Sequence, residues 1–268
     1  MISLARSYLF VPGNRPERFE RAVTSGSHAV IVDLEDAVPP GEKDNARAAL
    51  AAWLRADRPV HIRVNAAETP WHEADVALCR SPGVAGIVLP KAEQISQAVR
   101  DLCRPGGPAL LPLIETAVGI DRLREIASEP AVQRLVFGSI DLQVDLGIEG
   151  EGEELLFFRS QIVLASRLAK LPPPVDGVCT EIDEPERLEA DTLRAKRLGF
   201  GGKLCIHPRQ VPLVNQCFVP SAEQLAWAQR VMAAAEKASG AAIAVDGRMV
   251  DRPVILQAEH IVREAQRK

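Results

Sequence analysis

The sequence predicts a closed barrel of eight parallel strands, each followed by a helix, with a short C-terminal extension. Three observations carry this expectation. Eight short apolar runs recur along most of the chain, the stretches between them have helical spacing, and 268 residues suit a single α/β core of barrel size. An open doubly wound sheet is the competing architecture. No G-x-G-x-x-G follows the first run, and eight units over about 205 residues favour closure.

The runs fall at 7–11, 29–33, 60–64, 86–90, 110–114, 135–137, 177–179 and 202–206. They are largely apolar, as strands buried on both faces are. Between them, Ala46, Ala49, Leu50 and Trp53, and then Leu155, Phe158, Ile162, Ala165 and Leu168, return at helical intervals among polar residues. Repeated strand–helix order implies parallel strands joined by crossovers. Past Phe218 the pattern changes. Ser221-Ala-Glu-Gln224 is a capping-box signature that opens a helix towards Lys237. Residues 241–253 read as a hairpin turning at Asp246-Gly247, and a last helix starts near Val254. The expected organisation is a barrel over 1–220 and a helical extension over 221–268, which packs on its own barrel or is swapped onto a neighbouring subunit.

Composition narrows the class of protein. With 47% hydrophobic and 25% charged residues and a mean hydropathy of -0.01, the chain reads as an ordinary globule. No apolar run reaches the roughly 18 residues of a membrane span. A net charge of -4 argues against a nucleic-acid surface. The five cysteines (Cys79, Cys103, Cys179, Cys205, Cys217) contain no C-x-x-C, so reduced, buried thiols are expected. The segment Met1-Ile-Ser-Leu-Ala-Arg-Ser-Tyr8 lacks the layout of a signal peptide, which points to the cytoplasm.

Two acids close apolar runs: Glu115 after 110–114, and Asp141 after 134–140. Carboxylates at the C-terminal ends of barrel strands face the pocket, and two of them form an incomplete oxygen shell suited to Mg²⁺, which keeps waters and takes other ligands from substrate. Capping of the following helices is the alternative reading. Arg63 ends the third run, where its planar fork can grip a carboxylate or a thioester oxygen, or pair with an acid at the barrel mouth. Asp33, Glu35 and Asp36 crowd together beyond the second run, an arrangement that calls for a nearby cation; Asp36 reads as a group near the metal and Glu35 as a positioning residue. Arg6, Arg15, Arg18 and Lys43 gather by sequence around the first two strand-to-helix loops, as a phosphate footprint or as ordinary surface ion pairs. His207, at the end of the eighth run, is either a general base or a structural hydrogen-bonding group.

These residues lie in an ordered series: Ser7-Tyr-Leu-Phe-Val-Pro-Gly-Asn-Arg15, Val30-Ile-Val-Asp-Leu-Glu-Asp36, Arg63-Val-Asn65, Val88-Leu-Pro-Lys91, Leu113-Ile-Glu-Thr116, Phe137-Gly-Ser-Ile-Asp-Leu142, Cys205-Ile-His-Pro208 and Gly247-Arg-Met-Val-Asp-Arg-Pro253. From about Arg6 to Ile261 the chain resembles citrate lyase beta subunit-like proteins of the HpcH/HpaI aldolase superfamily. The resemblance implies a TIM barrel, Mg²⁺ and a CoA thioester substrate, with Glu115 and Asp141 as metal ligands. It also implies that Arg63 and Glu115 bind substrate and that Asp36 holds metal-bound water. Asp251 matches an Asp that such enzymes deliver to a neighbouring subunit's site, in trimers or hexamers.

The chain departs from that pattern at Val118, Ile140, Cys179 and Gly201, where Arg, Glu, Tyr and Asp are frequent. The expected activity is a Mg²⁺-dependent carbon–carbon lyase that cleaves a 3-hydroxy-3-carboxyacyl-CoA of malyl, citramalyl or citryl type into a 2-oxo acid and an acyl-CoA. Catalysis falls to Arg63, Asp251 and Asp36, and substrate binding to Arg63, Glu115, Arg6, Arg15 and Lys43. The alternatives are the lyase subunit of a multi-subunit citrate lyase, acting on a carrier-bound thioester, and a non-catalytic metal-binding or regulatory scaffold.

Overall fold

The computed structural model describes residues 4–237 and 243–266. Eight strands pair in sequence order: β1 (Ser7–Pro12), β2 (Ala29–Asp33), β3 (Val60–Arg63), β4 (Val84–Leu89), β5 (Ala109–Ile114), β6 (Val136–Phe137), β7 (Val175–Asp176) and β8 (Gly202–Cys205). Tyr8 opposite Leu204 closes β1 on β8 in parallel register. The result is a (β/α)8 TIM barrel. Its helices are α1 (Phe19–Val23), α2 (Lys43–Trp53), α3 (His72–Leu78), α4 (Gln97–Leu102), α5 (Ala117–Asp121), α6 (Leu123–Ser128), α7 (Ser139–Leu146), α8 (Leu156–Leu168), α9 (Pro185–Leu198) and α10 (Val211–Phe218).

Strand periodicity sorts each run into two faces. Tyr8, Ile31, Val88, Leu111, Leu113, Val136, Val175 and Leu204 form one buried cluster. Continuing those same faces by two residues towards the C-terminal ends changes the chemistry. Ile31 leads to Asp33, His61 to Arg63, and Leu113 to Glu115. One periodicity therefore yields an apolar barrel core and a charged mouth above it.

The seventh strand is Val175–Asp176, not the expected 177–179. Three prolines and an aspartate look unlike a strand, but Asp176 is fully buried and neutralised. Arg159 Nε donates to its Oδ1 at 2.9 Å, and Lys203 Nζ lies 3.2 Å from Oδ2 and 2.9 Å from Asp191 Oδ2. The face expected of α8 stays buried at Leu155, Ile162 and Ala165, and Arg159 of the same cluster joins it. Arg159 and Ser166 are buried with Ile162 and Ala165, while Leu168 is 61% exposed.

Compact organisation divides the chain between Asn215 and Gln216, within α10 and earlier than the 220/221 boundary expected. The second unit contains α11 (Ala222–Lys237), β9 (Ile243–Val245), β10 (Arg248–Val250) and α12 (Arg252–Gln266). Ser221 and Gln224 exchange the two bonds of a capping box, at 3.1 and 2.9 Å. The hairpin turns at Asp246 and Gly247, whose φ values of 51° and 75° are those a type I′ turn needs. Ala228, Val231, Val245, Val250 and Ala258 form this unit's own core. Among the described residues no helix is long and apolar enough to cross a membrane, and all five cysteines are buried and outside any disulfide.

Candidate active site

A cavity of about 440 Å³ opens at the C-terminal strand ends, lined by Asp33, Asp36, Arg63, Glu115 and Asp141 with apolar residues between them. Asp33 and Arg63 are register partners on adjacent strands. Nε and Nη2 of Arg63 each donate to the Asp33 carboxylate at 2.7 Å, a bidentate pair. Asp33 also accepts the Glu35 and Ala37 N–H groups at 2.9 and 3.1 Å, so its oxygens are fully used. Nη1 of Arg63 stands 3.2 Å from Glu35 and 3.7 Å from Asp36, and the guanidinium lies 5.0 Å from the Phe10 ring centroid. Burial acts to neutralise Arg63, but the charge and hydrogen bonds of Asp33, with Glu35 and Glu115, hold it firmly protonated.

Glu115 is 2% exposed and directly follows β5. Its Oε1 accepts the Lys91 N–H at 2.7 Å, an approach set by the left-handed φ of 44° at Lys91. Its Oε2 is buried without a hydrogen-bond partner among the described residues. Burial, reinforced by the Asp141 charge, pushes its pKa up to about 8 despite the Lys91 bond and Arg63. Asp141 is raised too, by burial and by Asp36. Glu35 is pushed to about 7, mainly by burial, with Asp36 and Asp33 adding to it against Arg63 and Lys91. This excess of acid is what a bound cation relieves. Gly138 completes the cradle, because a Cβ there would meet the Glu115 Cβ at 2.5 Å. No group of three or more His, Cys, Asp or Glu side chains suited to a metal occurs among the described residues. Two carboxylates alone suit an ion that takes its other ligands from water and substrate, and the orphaned Glu115 oxygen fits that role.

The barrel thus gathers Asp36, Arg63, Glu115 and Asp141 around one cavity, with two differences in detail. Asp141 is not at a strand end; it lies in the first turn of α7, one turn beyond β6. Capping of α5 falls to Thr116, whose Oγ1 accepts the Gly119 N–H at 3.0 Å, leaving Glu115 free of that task.

Two of the expected substrate-binding cations are placed otherwise. Arg6 precedes β1 and so sits at the N-terminal ends of the strands, where its N–H donates to His28 Nδ1 and its carbonyl accepts from Lys203; position in sequence did not reveal which end it occupies. Lys43 is buried, and its ammonium donates to Leu34 O, Glu35 O and Asn65 Oδ1 at 2.8, 2.7 and 2.6 Å. Two of its protons go to the loop after β2 and the third to Asn65 beyond β3, so Lys43 ties those two loops together instead of binding substrate. Arg15 is exposed on the loop after β1. His207 caps the turn before α10, with Nδ1 accepting the Arg209 N–H at 3.2 Å, which is the structural role. Asp251 belongs to the second unit, where it accepts the Val254 N–H at 3.3 Å at the start of α12. Sequence reasoning missed the Lys91 backbone and the Gly138 cradle; the only signals were Pro90-Lys91 at a strand end and a glycine directly after Phe137.

Residues 6–208 match the family model described as HpcH/HpaI aldolase/citrate lyase. The chain is 36% identical to the citrate lyase subunit beta-like protein of Deinococcus radiodurans, over 97% of both chains. It is 34% identical to a (3S)-malyl-CoA thioesterase of Cereibacter sphaeroides, over 97% of this chain and 94% of that one. A crystal structure of the protein CitE from Mycobacterium tuberculosis, in complex with magnesium, acetoacetate and coenzyme A, matches it with a TM-score of 0.87 at 33% identity, covering 98% of each chain.

Proposed function

The chain belongs to the HpcH/HpaI aldolase/citrate lyase family, and from that premise we propose that it is a Mg²⁺-dependent lyase for CoA thioesters, cleaving a 3-hydroxy-3-carboxyacyl-CoA into a 2-oxo acid and an acyl-CoA. The observation that carries this reading is the buried, unpartnered Oε2 of Glu115 in a cavity shared with Asp141 and Arg63. Glu115 and Asp141 would hold the ion, as the acidity of their surroundings fits. When bound there, Mg²⁺ supplies Lewis acidity and a template for the carboxylate and neighbouring oxygen of the substrate.

In the cleavage direction the C3 hydroxyl gives up its proton to a water molecule and the C2–C3 bond breaks. Its electron pair passes to C2, and the thioester enolate so formed takes a proton at C2, so atoms and electrons balance without an oxidant. Arg63, held in place by Asp33, offsets the charge that develops on the thioester oxygen. Asp36 orients water at the metal side of the cavity, and Arg15 on the β1 loop meets the phosphates of CoA. The C2 proton comes from Asp251 of a neighbouring subunit in a homo-oligomer, trimeric or hexameric. That role requires a carboxyl group whose pKa is matched to its task.

Similarity to a (3S)-malyl-CoA thioesterase favours a second reading, in which water attacks the thioester carbonyl and releases CoA thiol. Products separate the two. Incubation with malyl-CoA, citramalyl-CoA and citryl-CoA, with and without Mg²⁺, should yield acyl-CoA plus 2-oxo acid by mass spectrometry. Free CoA plus the intact hydroxy acid would establish hydrolysis instead, and no turnover of any thioester would leave a metal-binding scaffold.

A further inference from the structure

Glu115 and Asp141 reach the cavity from two separate carriers. Glu115 directly follows β5, and Asp141 stands in the first turn of α7 after β6. The ladder between these strands is short. Leu113 pairs with Val136 and Ile114 with Phe137, and the last bond runs from the Gly138 N–H to the Ile114 carbonyl at 2.9 Å. Both carboxylates lie beyond that point, where strand pairing no longer fixes their separation.

One hydrogen bond spans the gap. Asp145 Oδ2 accepts the Ala117 N–H at 2.6 Å. Among the described residues it is the only hydrogen bond between α7 and the segment that runs from Glu115 through α5. Ala117 lies two residues after Glu115, and Asp145 lies one helical turn after Asp141, so the bond joins the carriers close to each ligand. Asp145 itself is not among the residues that line the cavity.

Capping alone does not account for this contact. Thr116 Oγ1 already caps α5 through the Gly119 N–H. Two carboxylates one turn apart on a helix repel, so local energetics within α7 disfavour an acid at 145. The bond is also solvent-exposed, where a charged contact adds little to stability. What it fixes is geometry, and Mg²⁺ is exacting about geometry because it holds its ligands in a near-ideal octahedron at short range.

Resting on the reading of Glu115 and Asp141 as the Mg²⁺ pair, we propose that Asp145 is a positioning residue. It sets the spacing of the two carboxylates by tying α7 to the start of α5.

A double-mutant cycle on calorimetric Mg²⁺ affinity tests this. Asp145→Ala removes the acceptor. Ala117→Pro removes the donor at the first position of α5, where proline is favoured and the extended Thr116 before it accommodates the ring. Each variant should weaken Mg²⁺ binding at least fivefold. The double variant should be no more than twofold weaker than the weaker-binding single one, since both changes delete the same bond. Asp145→Asn loses the charge but keeps an acceptor, and should bind Mg²⁺ at least threefold more tightly than Asp145→Ala. Unmoved affinity in both single variants, additive losses in the double one, or equal affinity in the alanine and asparagine variants would overturn the proposal and leave Asp145 as a cap of α5. Hydrogen exchange keeps the proposal apart from the metal reading. If the wild type binds no Mg²⁺, that reading falls, yet faster exchange in both α5 and α7 of Asp145→Ala upholds the tie between the carriers, whereas unchanged exchange in α7 removes it.

Discussion

Gly138 and Glu115 are matched in shape: the absent side chain of the first leaves the space that the carboxylate arm of the second occupies, and a Cβ at Gly138 would lie 2.5 Å from the Glu115 Cβ. Gly138→Ala must therefore displace Glu115, while the strands on either side keep their own pairing. Mg²⁺ affinity by calorimetric titration should fall more than tenfold, about 1.4 kcal/mol or more, with an unchanged circular dichroism spectrum. Wild-type affinity in the variant would mean that Glu115 does not hold the ion.

Glu115 sets function against stability. Its pKa of about 8 lies above the 4.5 of an unperturbed glutamate, so between those values the folded, metal-free protein holds a proton that the unfolded chain releases. The stability this gives is complete below about 4.5 and is lost as pH rises through about 8. Glu115→Gln should raise the metal-free Tm at pH 8.5 and abolish the further rise that Mg²⁺ produces in the wild type. A lower Tm in the variant would contradict this assignment.

Arg63 holds Asp33 through two parallel bonds, a geometry that a lysine ammonium cannot reproduce. Arg63→Lys should lower kcat/KM more than tenfold, about 1.4 kcal/mol or more in transition-state stabilisation. Unaltered kinetics would reduce Arg63 to a structural partner of Asp33.

His61 should govern part of the acid stability. Burial lowers its pKa to about 4 from an ordinary 6.5, so the unfolded chain binds a proton that the folded protein refuses. The resulting stability is complete above about 6.5 and is lost as pH falls through about 4, up to ~3 kcal/mol. His61→Phe should flatten the loss measured by urea unfolding between pH 6.5 and 4, and an identical pH profile would exclude the effect.

Mixed oligomers test the proposed sharing of sites. Asp251→Asn subunits combined with Glu115→Gln subunits should regain partial turnover, since some sites would unite an intact metal shell with an intact proton donor. No recovery, in mixtures shown by mass spectrometry to contain hetero-oligomers, would confine Asp251 to its own barrel or to its capping bond with Val254.

The barrel was legible because strand runs and helical spacing are local signals, and Arg63 and Glu115 stood out as charges that end apolar runs. Lys43 misled because its charge is visible in the sequence, whereas the three acceptors around it come together only when the loops after β2 and β3 fold side by side. Arg6 misled because nearness to a strand does not say which end of it faces the cavity. The seventh strand was displaced because Asp176 is strand-like only once Arg159 and Lys203, distant in sequence, neutralise it. Gly138 gave only the faint signal of a glycine directly after a strand, since its role lies wholly in the space it leaves for another residue.

The buried charges around β7 and β8 also act as an alignment key. β7 has only two residues, and its ladder alone specifies little. Asp176 is paired in register with Lys203, and the adjoining Val175 and Leu204 belong to the barrel's apolar cluster. Sliding either strand by one residue would turn its charged side chain into the barrel and its aliphatic neighbour outward. A carboxylate or ammonium stranded there without its counter-ion is far costlier than a lost ladder bond. The closing strands of this barrel are thus keyed by electrostatics, so that a slipped closure excludes itself.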